Sequence, residues 1–139
     1  MKEIIDAISV RLDQIFGDEY TIYLEEVDQG LQTPCFFITL IDFEDKNRIA
    51  DRKYRQYGFA IDFIPSDDEG HRMQFAEVTD KLFDNFDSVE LADGTILYTF
   101  DRNINVIRDV LEFTVLFKVY KRYVVDAEPV QENMEMSVI

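Results

Sequence analysis

An imidazole base and a thiol nucleophile each occur only once in this chain. His71 is the one histidine of the chain and Cys35 the one cysteine. Cys35 stands between Pro34 and Phe36 at the start of an apolar run, which is typical of a buried structural thiol. His71 stands near the start of a predicted helix, and no Ser or Cys can be placed beside it from the sequence. A single cysteine also excludes an internal disulfide and a cysteine-based zinc site.

Carboxylates are so abundant that no single pair of them indicates a metal or acid–base site. The chain has 29 Asp and Glu residues. Glu25 with Glu26, residues 67–69, and Asp42 with Asp62 are the candidate groups. Residues 67–69 lack the further ligands and the spacing of a calcium loop, and we expect Asp42 and Asp62 to be solvated carboxylates on adjacent strands. The five glycines are scattered, so no phosphate-binding loop can be built from them. We predict no enzyme activity, no cofactor and no metal.

The charge balance is strongly acidic, with one local exception. The formal net charge is −15, because the chain has 14 Lys and Arg residues and 29 Asp and Glu residues. Such a surface repels nucleic acid and anionic membranes, since binding to both depends on cationic neutralisation of phosphate. Residues 46–55 nevertheless hold five cations: Lys46, Arg48, Arg52, Lys53 and Arg55. The residues leave three interpretations open: a solvated loop, a contact with an acidic surface such as that of a neighbouring copy, and a nucleic-acid patch.

The length of 139 residues fits one domain with a single core. Apolar runs such as residues 36–40 are too short to span a bilayer, and the charged N-terminus lacks the apolar region of a signal peptide. We therefore expect the chain to start out in the cytoplasm. The apolar pattern ends after residue 125, which predicts a domain over residues 1–125 and an acidic, flexible tail over residues 126–139.

The hydrophobic pattern predicts seven elements in the order α-β-β-β-α-β-β. They are helices over residues 2–16 and 70–87, and strands over residues 20–27, 35–43, 54–64, 95–101 and 110–124. A charged connector over residues 44–53 is predicted to join the second and third strands into a long hairpin. Residues 102–109 are read as a continuation of the fourth strand and a turn at Arg108 and Asp109. The fold class is α+β: a single domain with a mostly antiparallel sheet and two packed helices.

One set of residues resembles a known family. Residues 22–41, IYLEEVDQGLQTPCFFITLI, combine a tyrosine strand, an acidic turn with Gln-Gly, and Pro-Cys-Phe-Phe-Ile. The matching positions are Tyr23, Glu25, Glu26, Gln29, Gly30, Pro34, Cys35, Phe36, Phe37 and Ile38, followed by Arg52, Tyr54, Arg55, Tyr57, Phe59, Ile61, Phe63 and Pro65. Asp109 to Phe113 match a later strand, with Glu112 in place of the usual histidine. Over residues 1–125 the chain resembles the phage tail terminator family of tailed phages and Gram-positive prophages.

The resemblance implies a structural virion protein that forms a ring, expected to be a hexamer, at the head-proximal end of the tail. The implied partners are other copies of the chain, the tail tube protein and a head completion or connector protein. DNA is expected to pass through the lumen without specific binding, no membrane is involved, and assembly takes place in the host cytoplasm. We predict that six residues lie at the subunit interface: Lys46, Arg48, Arg52, Lys53, Arg55 and Tyr57.

Two other classes of protein stay open at this point. The first is an acidic monomeric binding or adaptor domain that mimics DNA, and competition with DNA would separate it from a ring protein. The basic cluster argues against it, because a DNA mimic spreads carboxylates along one face. The second is a small hydrolase, which the missing nucleophile–base set disfavours.

Overall fold

The computed structural model describes residues 1–24, 30–47, 52–66, 70–124 and 135–138, which form two helices and seven strands. In chain order these are α1 Lys2–Phe16, β1 Thr21–Tyr23, β2 Cys35–Asn47, β3 Arg52–Ile64, α2 His71–Asn85, β4 Ser88–Glu90, β5 Ile96–Ile107, β6 Val110–Val124 and β7 Glu135–Val138. The predicted α+β class and the order of its seven elements are confirmed. The short strands β4 and β7 are additional to the prediction.

The strands form one sheet in the order β1-β2-β3-β6-β5-β4. All its neighbouring strands are antiparallel except β1 and β2, which are parallel. β5 pairs with β6 over Val110–Phe117. β7 pairs with the last four residues of β6, Lys121–Val124, on the same side of β6 as β5. Four residues of the predicted tail therefore belong to the sheet, while the division of the chain at residue 125 stays a prediction.

The predicted connector over residues 44–53 is wrong for its outer parts. β2 continues to Asn47 and β3 begins at Arg52, so the hairpin strands are longer than their apolar runs. Alternation of apolar residues stops in β2 at residue 43, since Glu44, Asp45 and Lys46 follow it, yet the strand continues because it stays paired with β3. Residues 48–51 lie outside the described part of the chain.

Both helices pack on one face of the sheet and enclose the core. α1 buries Ile4, Ala7, Ile8, Leu12 and Phe16, as its apolar spacing predicts except for Ala7. α2 has its buried stripe at Val78 and Leu82. The sheet contributes inward side chains from five strands: Phe36 and Ile38 of β2; Tyr57, Phe59, Ile61 and Phe63 of β3; Val89 of β4; Leu97 of β5; and Leu111, Phe113, Val115, Phe117 and Val119 of β6. We refer to this as the helix face and to the opposite one as the outer face.

The outer face of the sheet is not covered by either helix. The run of β2 over residues 35–43 is largely apolar on both faces, yet Thr39 and Ile41 are exposed. The outer face of β3 is nevertheless tightly spaced at Gly58: an added Cβ there would lie 2.8 Å from Leu116 Cδ2 and 2.9 Å from Asp42 Cβ. Gly58 thus permits the close approach of three strands at the point where β2 has a bulge after Leu40.

β5 and β6 form a hairpin through the predicted two-residue turn. Arg108 and Asp109 both have positive φ, 51° and 62°, and Ile107 pairs with Val110. Positive φ at both central residues is typical of a type I′ turn, whose twist fits that of the two strands.

Candidate functional site

The residues that could do chemistry are held in structural roles. Burial raises the pKa of the Cys35 thiol to about 11, so the thiol is protonated at neutral pH. The Nε2 atom of His71 lies 2.9 Å from the carbonyl oxygen of Ser66, which ties the imidazole to the backbone just before α2. Within the described ranges, no three His, Cys, Asp or Glu side chains are grouped so that they could hold a metal ion. No described helix has the length and apolarity needed to cross a membrane.

The predicted carboxylate groups do not assemble into a pair. Asp42 stands opposite Gly58 and accepts a 3.0 Å hydrogen bond from Gln56 Nε2, whereas Asp62 stands opposite Phe37. The like-charged neighbour of Asp62 is instead Glu112 on β6. Burial first, and the charge of Glu112 second, raise the pKa of Asp62. Glu25, Glu26 and residues 67–69 lie outside the described residues.

Basic residues gather at one end of the sheet, where the β2–β3 hairpin and β6 extend past the helices. We call this end the basic pole; its members are Lys46, Arg52, Lys53, Arg55, Lys118, Lys121 and Arg122. They are seven of the 14 Lys and Arg of the chain. Glu44 and Asp45 lie beside Lys46 on β2 and form ion pairs with Lys46 (3.6 Å) and Arg55 (3.8 Å), so we count them with the pole. These nine residues carry a net charge of +5 and the rest of the chain −20.

The strand register places like charges directly opposite each other in the basic pole. Arg52 stands opposite Arg122, and Lys53 opposite Lys121, in consecutive pairs between β3 and β6. Like charges in such positions are destabilising.

Aromatic rings hold one cation of the pole in place on the outer face. The Nζ atom of Lys118 lies 4.5 Å from the centroid of the Phe100 ring and 5.4 Å from that of Tyr54. Tyr54 is buried and packs on Tyr120, with 5.5 Å between ring centroids. Cation–π contacts of this geometry fix the position of the ammonium group without neutralising its charge.

The six predicted interface residues fall into three groups. Lys46, Arg52, Lys53 and Arg55 come together in the basic pole. Arg48 lies outside the described residues. Tyr57 is on the helix face and 5% exposed, and it contacts Phe43 at a ring-centroid distance of 5.3 Å. Whether these residues contact another subunit stays a prediction.

Sequence reasoning missed the contribution of β6 to the pole. The proximity of residues 118–122 to residues 46–55 depends on the pairing of β3 with β6. The available signal was the pair Lys121–Arg122 at the end of a long strand.

Two long strand edges have no partner among the described strands. β2 pairs with β1 only over Cys35–Phe37, which leaves the edge from residue 38 to 47. β5 pairs with β4 only over Ile96–Tyr98, which leaves the edge from residue 101 to 107. Exposed backbone groups along such edges can accept another strand.

Comparison with known proteins identifies the family of this chain. A family model described as phage tail terminator protein matches residues 3–131 of the 139 residues. A search of curated proteins finds no match. The family is a structural one of the phage tail, which agrees with a site made of charge and strand edges. The chain belongs to the phage tail terminator family.

Proposed function

We propose that this protein caps the head-proximal end of a phage tail tube as a ring of identical subunits. The family match over residues 3–131 carries the proposal. In this role the ring ends tube growth and offers a docking surface to the head completion or connector protein. A hexamer is the expected copy number.

The charge distribution supports association of copies with one another. The basic pole carries +5 while the rest of the chain carries −20, so each copy offers a neighbour both a positive and a negative surface. Complementary patches at different places on one subunit produce head-to-tail contacts, which close into a ring when the rotation allows it. Attraction of this kind is screened by salt.

The same distribution supports passage of DNA. An acidic wall repels the phosphate backbone and so prevents adhesion of DNA as it slides through the lumen. This part of the proposal requires that carboxylates line the channel and that the basic poles lie away from it. A basic lumen in an electron microscopy reconstruction of the ring would contradict it.

The decisive experiment is a tube-growth assay with purified components. Tail tube protein of the cognate phage is allowed to polymerise with and without this protein, and tube lengths and ends are measured by negative-stain electron microscopy. We expect capped tubes that stop growing, each with an extra ring of density at one end. Tubes that grow equally long in its presence, with bare ends, would refute the proposal.

A pair of matched variants connects the assay to the site. Lys53→Glu in the basic pole is expected to lower capping strongly. Arg72→Glu makes the same change in net charge on the exposed first turn of α2, outside the pole, and is expected to cap as the unmodified protein does. Equal capping by both variants would remove the basic pole from the proposal.

A further inference from the structure

Beyond Arg102, the edge of β5 lacks the features by which proteins protect exposed strands. Edge strands are usually guarded by Lys, Pro, bulges or short length. β5 has its bulge earlier, between Thr99 and Asp101, and residues 103–107 are Asn-Ile-Asn-Val-Ile, without charge or proline. Val106 and Ile107 are 55% and 54% exposed. The edge is therefore suited to accept a strand.

The edge of β2 is the other long edge without a partner in the described part of the chain. It includes exposed Phe43, followed by Glu44, Asp45 and Lys46 at the basic pole. In the sheet β2 and β5 run in opposite directions. If a second copy lies beside the first with its strands in the same orientation, β2 of the second copy therefore runs antiparallel to β5 of the first.

Matching of faces restricts the register of such a pair. Opposed residues must lie on the same face of a continuous sheet. Phe43 and Asp45 are on the helix face, as are Arg102 and Ile104, whereas Lys46 and Asp101 are on the outer face. Only every second register therefore remains.

Charge selects one register from those that remain. When Lys46 stands opposite Asp101, Asp45 stands opposite Arg102 and Phe43 opposite Ile104. A shift by two residues instead sets Asp45 against Ile104 and Lys46 against Asn103, which loses both opposite-charge pairs. Cross-strand pairs of opposite charge and of apolar side chains are the ones that stabilise sheets.

We propose that β2 of one copy adds to the open edge of β5 of the next, antiparallel, with Lys46 opposite Asp101 and Phe43 opposite Ile104. This interface rests on the proposed ring and names the two surfaces that join in it. Each copy uses one edge to give and the other to receive, so the contact is head-to-tail. The acid beside the receiving edge is Asp87, whose Oδ1 atom lies 3.1 Å from Arg102 Nη1. The same nitrogen of Arg102 donates a 2.8 Å hydrogen bond to the Phe83 carbonyl oxygen, which ties β5 to α2.

Cysteine trapping tests the contact and its polarity. Lys46→Cys and Asp101→Cys replace exposed residues, and native Cys35 is fully buried, so wild-type protein is the unreactive control. Under mild oxidation at the highest soluble concentration, we expect covalent dimers when the two variants are mixed, and at least tenfold less when either is oxidised alone. Lys46→Cys mixed with Asn103→Cys, the off-register control, should also give at least tenfold less.

Charge reversal provides an independent readout. Lys46→Glu and Asp101→Lys should each weaken self-association, measured by light scattering across concentration, and the double variant should recover it at least tenfold relative to either single one. Three outcomes would overturn the inference. They are dimers that are as abundant in a single-variant sample as in the mixture, equally abundant dimers from the off-register pair, and no disulfide-linked dimers at all. Tube capping by wild-type protein without trapping between positions 46 and 101 would overturn it and leave the proposed function intact. Trapping between positions 46 and 101 without tube capping would support this interface and contradict the proposed function.

Discussion

At the scale of single residues, Asp62 stands out because its surroundings disfavour the negative charge of its carboxylate. Among the described residues, its Oδ1 atom is the buried side-chain oxygen or nitrogen that has no hydrogen-bond partner. Burial and the facing Glu112 both raise its pKa. A raised carboxyl pKa means that the folded protein prefers the protonated form, so ionisation of Asp62 lowers stability. The loss is absent below the usual pKa of 3.8 and sets in as the pH rises through the folded-state value.

We therefore expect Asp62→Asn to stabilise the protein at pH 7. Since the side chain is only partly buried and is screened by solvent, the expected gain is only on the order of 0.5 kcal/mol. Chemical denaturation at a series of pH values would measure it, and the gain should vanish below pH 3.8. Glu112→Gln is the matched control: it removes the lesser cause and should give a smaller gain. A gain independent of pH would contradict this account.

At the scale of elements, regular apolar spacing allowed some helices and strands to be predicted. Segments without such spacing were missed. α1 and β6 matched their predicted bounds because each presents one uninterrupted apolar face to the core. The outer parts of β2 and β3 were missed because they are stabilised by pairing with each other and with β6, and no buried face marks them in the sequence. The basic pole shares this origin: its members on β6 lie about 65 residues beyond those on β3, and only strand pairing joins them.

The turn between β5 and β6 provides a prediction at this scale. Arg108 and Asp109 hold positive φ, which costs a non-glycine residue free energy that Asn and Gly largely avoid. Replacing the pair by Asn-Gly should raise the free energy of unfolding by about 1 kcal/mol. Thermal unfolding would measure the gain. Placing the same Asn-Gly pair at exposed positions 13 and 14 of α1 should instead destabilise the protein, because glycine disfavours a helix interior.

At the scale of the whole molecule, stability and assembly are expected to oppose each other at the basic pole. Lys121→Glu converts a like-charge pair with Lys53 into an opposite-charge pair, so it should raise the free energy of unfolding by roughly 0.2–1 kcal/mol. The same change should weaken tube capping, since it removes positive charge from the surface proposed to meet carboxylates. Thermal melts and the tube-growth assay measure the two effects on one protein. If the variant were more stable and capped tubes at least as well as the unmodified protein, the basic pole would have no role in assembly.

The gathering of positive charge at one end of the strands also gives a subunit a direction. Copies arranged around an axis that follows their strands would all carry their basic poles on one rim, and the opposite rim would lack this excess of positive charge. Such a ring could not be inverted without exchanging what it offers to the structures above and below it. A tube end and a head vertex are different surfaces, and two unlike rims would let one small protein address each of them in a single orientation.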